Sequence, residues 1–194
     1  MSEARYVLAV IVLIGLPPGI LLWLAIHPWA RFWRRLGPVW TYTILGPPML
    51  ALMAGLFRVR GAILAIDLGT SVPLIALAVV TLAAAGAVAV KRRKHLTSGV
   101  LAGLPELSRE RYPGRLLSEG IYGRIRHPRY VEVLLWALAY ALFANYLAIY
   151  VLVALSVPVL YLVVVLEERE LRDRFGQAYE DYCREVPRFF PRRR

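Results

Sequence analysis

Apolar residues fall in long uncharged runs along the chain, separated by short charged stretches. Three of these runs cover residues 6–26, 39–57 and 72–90. A helix needs about 20 apolar residues to cross the hydrocarbon of a bilayer. Each run therefore predicts one transmembrane helix. The first run exceeds the apolar core of a signal peptide, so we expect it to be retained as a span.

A fourth apolar run, residues 131–166, contains one charge, Glu132. A single helix of this length, rising about 1.5 Å per residue, would be far longer than a bilayer is thick. We therefore expect the run to fold back on itself near Asn145 and Tyr146, where polar groups interrupt it. This hairpin brings the predicted number of spans to five.

The pattern changes sharply after Leu166, where charged residues dominate. Apolar residues now recur three or four positions apart, at Leu171, Phe175, Tyr179, Tyr182 and Val186. This spacing predicts an amphipathic helix that ends before Pro187. The predicted fold is all-α: an integral membrane bundle of five transmembrane helices with a C-terminal amphipathic helix on the cytoplasmic face.

Composition and charge agree with a membrane protein. Hydrophobic residues make up 59% of the 194 residues, which is more than soluble domains contain. The net charge of +11 comes from Lys and Arg residues beside the apolar runs. We therefore expect anionic lipid headgroups as partners and no nucleic acid. No obligatory protein partner is evident.

The basic residues also predict an orientation. Segments 27–38, 91–130 and 167–194 hold 21 of the 24 Lys and Arg residues, and these segments lie on one side if the spans alternate. Cytoplasmic loops are enriched in Lys and Arg. The sequence therefore predicts a multi-pass protein with its N-terminus outside and its C-terminus in the cytoplasm.

Cysteine and histidine are too few for a disulfide framework or a metal cluster. The chain contains one cysteine, Cys183, and three separated histidines, His27, His95 and His127. This spacing matches no common metal site, so we expect no structural or catalytic metal.

Two polar clusters lie beside the predicted hairpin, at residues 120–130 and at Glu167–Glu168. An antiparallel hairpin would bring both to the same membrane surface, where they could enclose a charged pocket. A second interpretation is purely structural. Pro128 then begins a helix, while Arg126 and Arg129 reach lipid headgroups and pair with the two glutamates.

The two clusters carry a family resemblance. The string Gly-Ile-Tyr-x-x-Ile-Arg-His-Pro-x-Tyr at 120–130 is followed by Glu-Glu-x-x-Leu-x-x-x-Phe-Gly-x-x-Tyr-x-x-Tyr at 167–182 and then by Pro187, Arg188, Phe189 and Pro191. Together they resemble the isoprenylcysteine carboxyl methyltransferase family and the related phospholipid N-methyltransferases. The resemblance covers about residues 100–191.

This resemblance implies S-adenosylmethionine as the cofactor and a lipophilic acceptor that enters from the bilayer. It divides the chain into three N-terminal transmembrane helices (1–90) and a cofactor-binding catalytic half (91–194). Glu168 would bind the cofactor together with residues of the first cluster and of the loop before it. Those residues are Leu116, Leu117, Gly120, Ile121, Tyr122, His127, Pro128 and Tyr130. Glu167 and Glu168 would close the pocket.

The residue types suit this cofactor, which presents a sulfonium, an ammonium and a carboxylate at short range. Glu168 could attract the positive groups, and His127 or Arg126 could hold the carboxylate. The four residues predicted to act on the acceptor are Arg126, Arg129, Glu167 and Glu168. A carboxylate acceptor, such as that of a prenylated cysteine, is already ionised and needs only an arginine to hold it. An amine acceptor would need Glu167 or Glu168 as a base.

Other functions remain open from the sequence. The Gly-rich fingerprint of a Rossmann nucleotide site is absent. Segment 103–114 and the first three spans match no motif of the enzymes that act on prenylated proteins. A phospholipid N-methyltransferase, a sterol-type reductase with a nicotinamide cofactor, and a non-enzymatic scaffold or transporter subunit are the alternatives.

Overall fold

The computed structural model describes residues 1–94 and 116–192, and this part of the chain is built from helices. Residues 103–114 and His95, which the sequence analysis considered, lie outside it. A 3₁₀ turn at Gly120–Gly123 and one isolated β-bridge accompany the helices. The helices are α1 (Ser2–Ile26), α2 (Ala30–Ile63), α3 (Val72–Arg93), α4 (Pro128–Ala144), α5 (Leu147–Phe175) and α6 (Gln177–Glu185).

Four of the described helices, α1, α2, α3 and α5, are long and apolar enough to cross a membrane. Helix α4 has 17 residues and spans about 26 Å, slightly less than the roughly 30 Å of a bilayer core. The all-helical membrane class is thus supported, while a count of five spans stays a prediction. Helix α2 is interrupted at Gly37, whose φ of 79° and ψ of 170° are non-helical.

The predicted hairpin turn is confirmed at the two expected residues. Helix α4 ends at Ala144, and α5 begins at Leu147. Asn145 between them has the left-handed conformation, with φ 56° and ψ 50°. Asn is one of the few residues that adopts this conformation readily, because its short amide can bond locally. Two consecutive apolar helices can therefore reverse direction within two residues.

Side-chain hydrogen bonds hold this turn against the α2–α3 loop. Asn145 Nδ2 donates to the carbonyl oxygen of Gly69 at 2.9 Å, and the Tyr150 hydroxyl donates to Asn145 Oδ1 at 2.9 Å. The backbone adds a short antiparallel bridge between Asp67 and Tyr146. The loop and the hairpin thus form one unit at this end of the bundle.

The start of α1 reaches the same end through Arg5, whose side chain is 3% exposed. Its Nε donates to the carbonyl oxygen of Ala144 at 3.0 Å, and its guanidinium pairs with Asp67. A buried cation needs such partners, because an unpaired one would be strongly destabilising. One arginine thus joins the start of α1, the end of α4 and the α2–α3 loop, which are distant in sequence.

Replacing Asn145 should weaken this end of the bundle. Asn145→Ala is expected to lower the free energy of unfolding by about 2–4 kcal/mol, since it loses both hydrogen bonds and places a Cβ in the left-handed region without a compensating amide. Asn145→Gly should cost about 1 kcal/mol less, because glycine tolerates this backbone. Thermal unfolding in detergent, followed by tryptophan fluorescence, measures both. Equal losses for the two variants would contradict the conformational part of the argument.

The other termini of α1 to α5 lie at the opposite end of the bundle. The α1–α2 turn, the end of α3, the start of α4 and the end of α5 all lie there, so consecutive helices α1 to α5 run in alternating directions. The described parts of the basic segments named above lie at this end. Which side of a membrane it faces stays a prediction.

Apolar packing between α1, α4 and α5 forms the centre of the bundle. The cluster nearer the hairpin turn includes Ala9, Val12, Leu13, Ala137, Ala141, Ile149 and Val153. The cluster nearer the basic end includes Ile20, Tyr130, Leu160, Val163 and Val164. Small residues on α4 allow close helix contact, as is common within membranes.

Helix α3 is joined to α4 by an ion pair between Arg92 and Glu132. Arg92 Nε lies 2.6 Å from Glu132 Oε2, and Arg92 Nη2 lies 3.1 Å from Oε1. The two side chains are 6% and 11% exposed. The single charge in the fourth apolar run thus has a bidentate partner on the neighbouring helix.

The C-terminal amphipathic helix departs from the prediction at its start. It does not begin after Leu166, because α5 continues to Phe175. The helix is then interrupted at Gly176, whose φ is 55°, and α6 begins at the next residue. Its end before Pro187 is confirmed, since α6 finishes at Glu185. The apolar face is also confirmed, because Tyr179, Tyr182 and Val186 form a buried cluster against Leu116, Leu171 and Phe175.

Candidate functional site

The structure brings the two sequence motifs into direct contact. His127 precedes the first residue of α4, and Glu168 lies two turns before the end of α5. His127 Nε2 is 3.0 Å from Glu168 Oε1. The antiparallel hairpin produces this contact, because the start of one helix and the end of the next lie at the same level of the bundle.

Glu168 is completely buried and is bound by several cations. Its Oε1 accepts hydrogen bonds from Arg126 Nη2 at 2.9 Å and from Arg188 Nε at 3.0 Å, and its Oε2 accepts from Arg188 Nη2 at 2.8 Å. Arg172 approaches Oε2 at 3.5 Å. A buried carboxylate is tolerated when its charge is compensated and its oxygens are hydrogen-bonded. Glu168 therefore ties the loop before α4 and the C-terminal segment to α5.

Backbone hydrogen bonds reinforce the same junction. The amides of Arg126 and His127 donate to the carbonyl oxygens of Pro187 and Arg188, at 2.9 and 3.1 Å. Arg126 Nη1 also donates to the carbonyl oxygen of Val186 at 2.6 Å. The segment that follows α6 is thereby held along the loop before α4.

Arg188 was part of the second motif but was given no role in the sequence analysis. The hydrogen bonds that it donates to Glu168 raise the pKa of its guanidinium above the ordinary value, so it stays charged. Its Nη1 also donates to the Tyr161 hydroxyl at 2.9 Å. The signal that could have found it is the Pro-Arg-Phe string after the Tyr-x-x-Tyr pattern.

The 3₁₀ turn ahead of this loop depends on its two glycines. Gly120 has a φ of 60°, which disfavours side chains. A Cβ on Gly123 would lie 2.9 Å from the carbonyl oxygen of Ser118. Between them, Tyr122 is buried, and its carbonyl oxygen accepts a hydrogen bond from the Tyr182 hydroxyl at 2.7 Å. Burial raises the pKa of the Tyr122 phenol, so it stays neutral.

A cavity of about 620 Å³ opens beside this turn, which lies within the size range of small-molecule sites. It lies between the end of α3, the 3₁₀ turn, the start of α4 and the C-terminal segment. Its described lining combines apolar groups with three cations: Ala87, Val88, Lys91, Lys94, Gly120, Ile121, Arg124, Ile125, Val131, Phe189, Phe190 and Pro191. No carboxylate lies among these lining residues.

Of the residues predicted to bind a cofactor, Gly120 and Ile121 line this cavity. The others are not among its described lining residues. Tyr130 belongs to the apolar cluster between α1 and α5, and Leu116 packs against the α6 tyrosines. Pro128 is buried at the start of α4, and Leu117 is half-buried.

The residues predicted to act on an acceptor have different surroundings. Arg126 donates hydrogen bonds to Glu168 and to the backbone carbonyl oxygens of Cys183 and Val186. Arg129 places its guanidinium carbon 4.7 Å from the ring centre of Trp23 on α1. Glu167 is 23% exposed, and its Oε2 lies 3.8 Å from His127 Nδ1, beyond hydrogen-bond distance.

One expectation needs correction. From the sequence we expect a pocket enclosed by the two polar clusters, but His127 and Glu168 touch, and their contact leaves no room for a ligand between these two side chains. The physical reason is the burial of Glu168, which is stabilised by direct contact with cations. The cavity lies to one side of this pair, and three of its cations, Lys91, Lys94 and Arg124, were not predicted.

The contribution of α3 to the cavity was missed because its sequence matches no motif. The available signal was the basic run at positions 91–94 directly after an apolar span. Within residues 1–94 and 116–192, no group of three His, Cys, Asp or Glu side chains is arranged to hold a metal ion.

Comparison with known proteins places these motifs in a family context. The family model described as phospholipid methyltransferase matches residues 105–178, a stretch that contains both His127 and Glu168. The chain is also 35% identical over 104 residues to the Delta(14)-sterol reductase of Mus musculus. That alignment covers 49% of this chain and 23% of the reductase, so the chain spans about a quarter of the length of this curated relative. No solved structure matches the chain significantly.

Proposed function

We propose that this protein is a membrane methyltransferase that uses S-adenosylmethionine to methylate a lipophilic acceptor. The observation that carries the proposal is the phospholipid methyltransferase match over residues 105–178, which contains the first motif and the start of the second, including the contact between His127 and Glu168. Four helices are long and apolar enough to span a membrane, which supports an acceptor that enters from the bilayer.

The cavity beside the 3₁₀ turn is the proposed cofactor site, and its lining fits part of the cofactor well. Lys91, Lys94 and Arg124 supply cations for a carboxylate, and Phe189 offers a flat apolar surface for an adenine. The sulfonium and ammonium need an acidic group, and Glu167, which is partly exposed next to His127, is our candidate. When bound, S-adenosylmethionine supplies an electrophilic methyl group.

Glu168 is proposed to act by positioning. Its carboxylate is occupied by Arg126, Arg188 and His127, and it fixes the loop that carries Gly120 and Ile121. The four predicted acceptor-binding residues then divide into two pairs. Arg126 and Glu168 hold the loop, whereas Arg129 and Glu167 are the candidates for contact with the acceptor.

A carboxylate acceptor, such as that of a prenylated cysteine, is the preferred substrate class within this proposal. Carboxylates are ionised at neutral pH, so the protein needs to orient the nucleophile and exclude water rather than remove a proton. Arg129 can bind a carboxylate through two parallel N–H groups. If the acceptor is an amine instead, Glu167, which is partly exposed, is our candidate for the group that accepts its proton.

A sterol-type reductase is the second candidate, and two observations favour it. The chain shares 35% identity over 104 residues with the Delta(14)-sterol reductase, and the cation-rich cavity would also suit the diphosphate of a nicotinamide dinucleotide. The two candidates therefore place different cofactors in one cavity.

Calorimetric titration of the protein in detergent with S-adenosylmethionine, its demethylated product and NADPH separates the two functions. We expect micromolar binding of the first two. Lys91→Gln should weaken that binding by about tenfold, the worth of one charge-assisted hydrogen bond. Arg93→Gln, which removes an exposed charge two residues away and outside the cavity, should not. Binding of NADPH alone would establish the reductase instead.

Transfer to an acceptor is then measured with radiolabelled cofactor and a panel of prenylcysteine, phospholipid and quinone-like molecules. Incorporation into prenylcysteine supports the carboxylate class, and incorporation into an aminophospholipid supports N-methylation. If neither cofactor binds and no acceptor is methylated, the result would support a non-enzymatic membrane protein.

A further inference from the structure

A second cavity, of about 570 Å³, lies at the basic end of the bundle between the α1–α2 turn and the end of α5. It shares no described lining residue with the cavity beside the 3₁₀ turn. Its wall includes His27 and four arginines, Arg31, Arg34, Arg35 and Arg169. Neither the methyltransferase nor the reductase proposal uses it.

His27 is the distinctive residue of this cavity. It is 5% exposed, and neither ring nitrogen has a hydrogen-bond partner in the described protein. One face of the imidazole is covered by Trp23, with ring centres 5.3 Å apart. Burial lowers the pKa of His27, so the ring is neutral and offers one N–H donor and one acceptor nitrogen. Leaving both unused in a buried position costs free energy that a ligand would recover.

The charged side chains in the wall of this cavity favour an anion. Arg31 pairs with Asp173 at 2.9 Å, and Arg34 pairs with Glu170, so the two carboxylates in the wall are already bound by arginines. Arg35 and Arg169 add two further positive charges at the exposed rim. Four arginines against two carboxylates give the cavity an excess of positive charge.

The cavity also has the surroundings of a lipid headgroup. Trp29 and Phe32 in its wall are 61% and 53% exposed. Trp29 lies in the turn after Ile26, the last residue of the first candidate span, and Phe32 lies in the first turn of α2. Aromatic side chains at this level are typical of the boundary between hydrocarbon and headgroups. A phosphate group bound in this cavity would therefore belong to a lipid and carry acyl chains.

We propose that this cavity binds the phosphate of an anionic glycerophospholipid, with Arg35 and Arg169 contacting the phosphate and His27 donating to the headgroup. The acceptor nitrogen of His27 suits a headgroup hydroxyl, so phosphatidylglycerol is the probe of choice. The site is independent of the proposed catalytic activity. A zwitterionic lipid would lack the net negative charge that the arginines favour.

Native mass spectrometry of the delipidated protein, titrated with phosphatidylglycerol and with phosphatidylcholine, tests the site. We expect a saturable complex with phosphatidylglycerol that Arg35→Gln and Arg169→Gln each weaken by about tenfold, as the loss of one charge-assisted contact predicts. Arg58→Gln, which removes an exposed arginine at the opposite end, is the matched control and should change binding less than twofold.

Two substitutions at His27 test its role separately. His27→Phe keeps an aromatic ring against Trp23 but has no polar atom, so it should bind phosphatidylglycerol several-fold more weakly. His27→Gln retains a donor and an acceptor and should restore most of the affinity. Should His27→Phe fail to fold, the arginine variants still decide the outcome.

Three results would overturn the proposal. Equal binding of phosphatidylcholine would exclude recognition of negative charge, and equal losses in Arg58→Gln would show general electrostatic attraction without a site. Competition by inorganic phosphate at concentrations equal to those of the lipid would identify a free-phosphate site in place of a lipid site.

Discussion

Replacing Glu168 by alanine is expected to lower the free energy of unfolding by about 3–5 kcal/mol, one of the two largest effects predicted for this chain. The carboxylate has no exposure to solvent and binds Arg126, His127 and Arg188. Removing it leaves two guanidinium groups close together without their common counterion. The loop before α4 and the C-terminal segment would then lose the group that holds both on α5.

The measurement is the thermal unfolding of the protein in detergent, followed by the fluorescence of its five tryptophans. Glu168→Gln should be less damaging than Glu168→Ala, because the amide oxygen still accepts hydrogen bonds. Glu185→Gln, an exposed glutamate on α6, should stay within about 0.5 kcal/mol of the wild type. If Glu168→Ala unfolds at the wild-type temperature, the carboxylate is not the anchor described above.

Loss of Glu168 should also reduce cofactor binding, since Gly120 and Ile121 line the proposed site on the loop that Glu168 fixes. Calorimetry with S-adenosylmethionine, carried out below the unfolding temperature of the variant, checks this consequence. Full affinity in a folded Glu168→Gln variant would show that the junction supports stability alone.

The second large effect is expected for the ion pair between Arg92 and Glu132. Glu132→Ala should cost about 3–5 kcal/mol, because it leaves the Arg92 guanidinium buried between α3 and α4 without a counterion. The double variant Arg92→Met with Glu132→Leu should cost less than either single change, since it leaves no charge uncompensated.

A double-mutant cycle on thermal unfolding measures this coupling, and the chain provides an exposed pair for comparison. Arg31 and Asp173 lie 2.9 Å apart, but their side chains are 82% and 59% exposed. Asp173→Ala should therefore cost less than about 1 kcal/mol. Additive losses at Arg92 and Glu132 would mean that the pair contributes no more than two isolated side chains.

Much of the fold could be predicted because apolar runs in a membrane protein have few alternatives. The hydrocarbon core admits helices whose backbone groups bond internally, so run length translates directly into helix length. The hairpin turn was also predictable. Asn145 and Tyr146 interrupt a run too long for one span, and Asn tolerates the left-handed conformation that the turn adopts.

The end of α5 was not predictable by the same argument. Charged residues after Leu166 suggested a new helix, yet α5 continues to Phe175 because its next two turns are stabilised by contacts from other segments, among them Arg188 to Glu168 and Arg34 to Glu170. Such contacts depend on residues up to 142 positions away, as for Arg31 and Asp173. The apolar periodicity of α5 itself therefore does not predict these contacts.

The candidate site was likewise predictable from the sequence only in part. Its two motifs were recognised by their resemblance to a known family, and their meeting at one end followed from the hairpin. Arg126 was expected as one partner of the glutamates, and it does bind Glu168. Arg188 was given no role, and the cations on α3 were not recognised, because Lys91 and Lys94 are ordinary basic residues at the end of a span until packing places them in the wall of the cavity.

The sequence alone determined the helical membrane class and the position of the hairpin, because these depend on the length of apolar runs and on local backbone preference. It also contained the pair of motifs, which was recognised by its resemblance to a known family. The tertiary structure decided which charges are joined, that His127 and Glu168 fill the space between them, and that two separate cavities open at the basic end. Buried charges select partners by distance and geometry, and both are set when the helices pack.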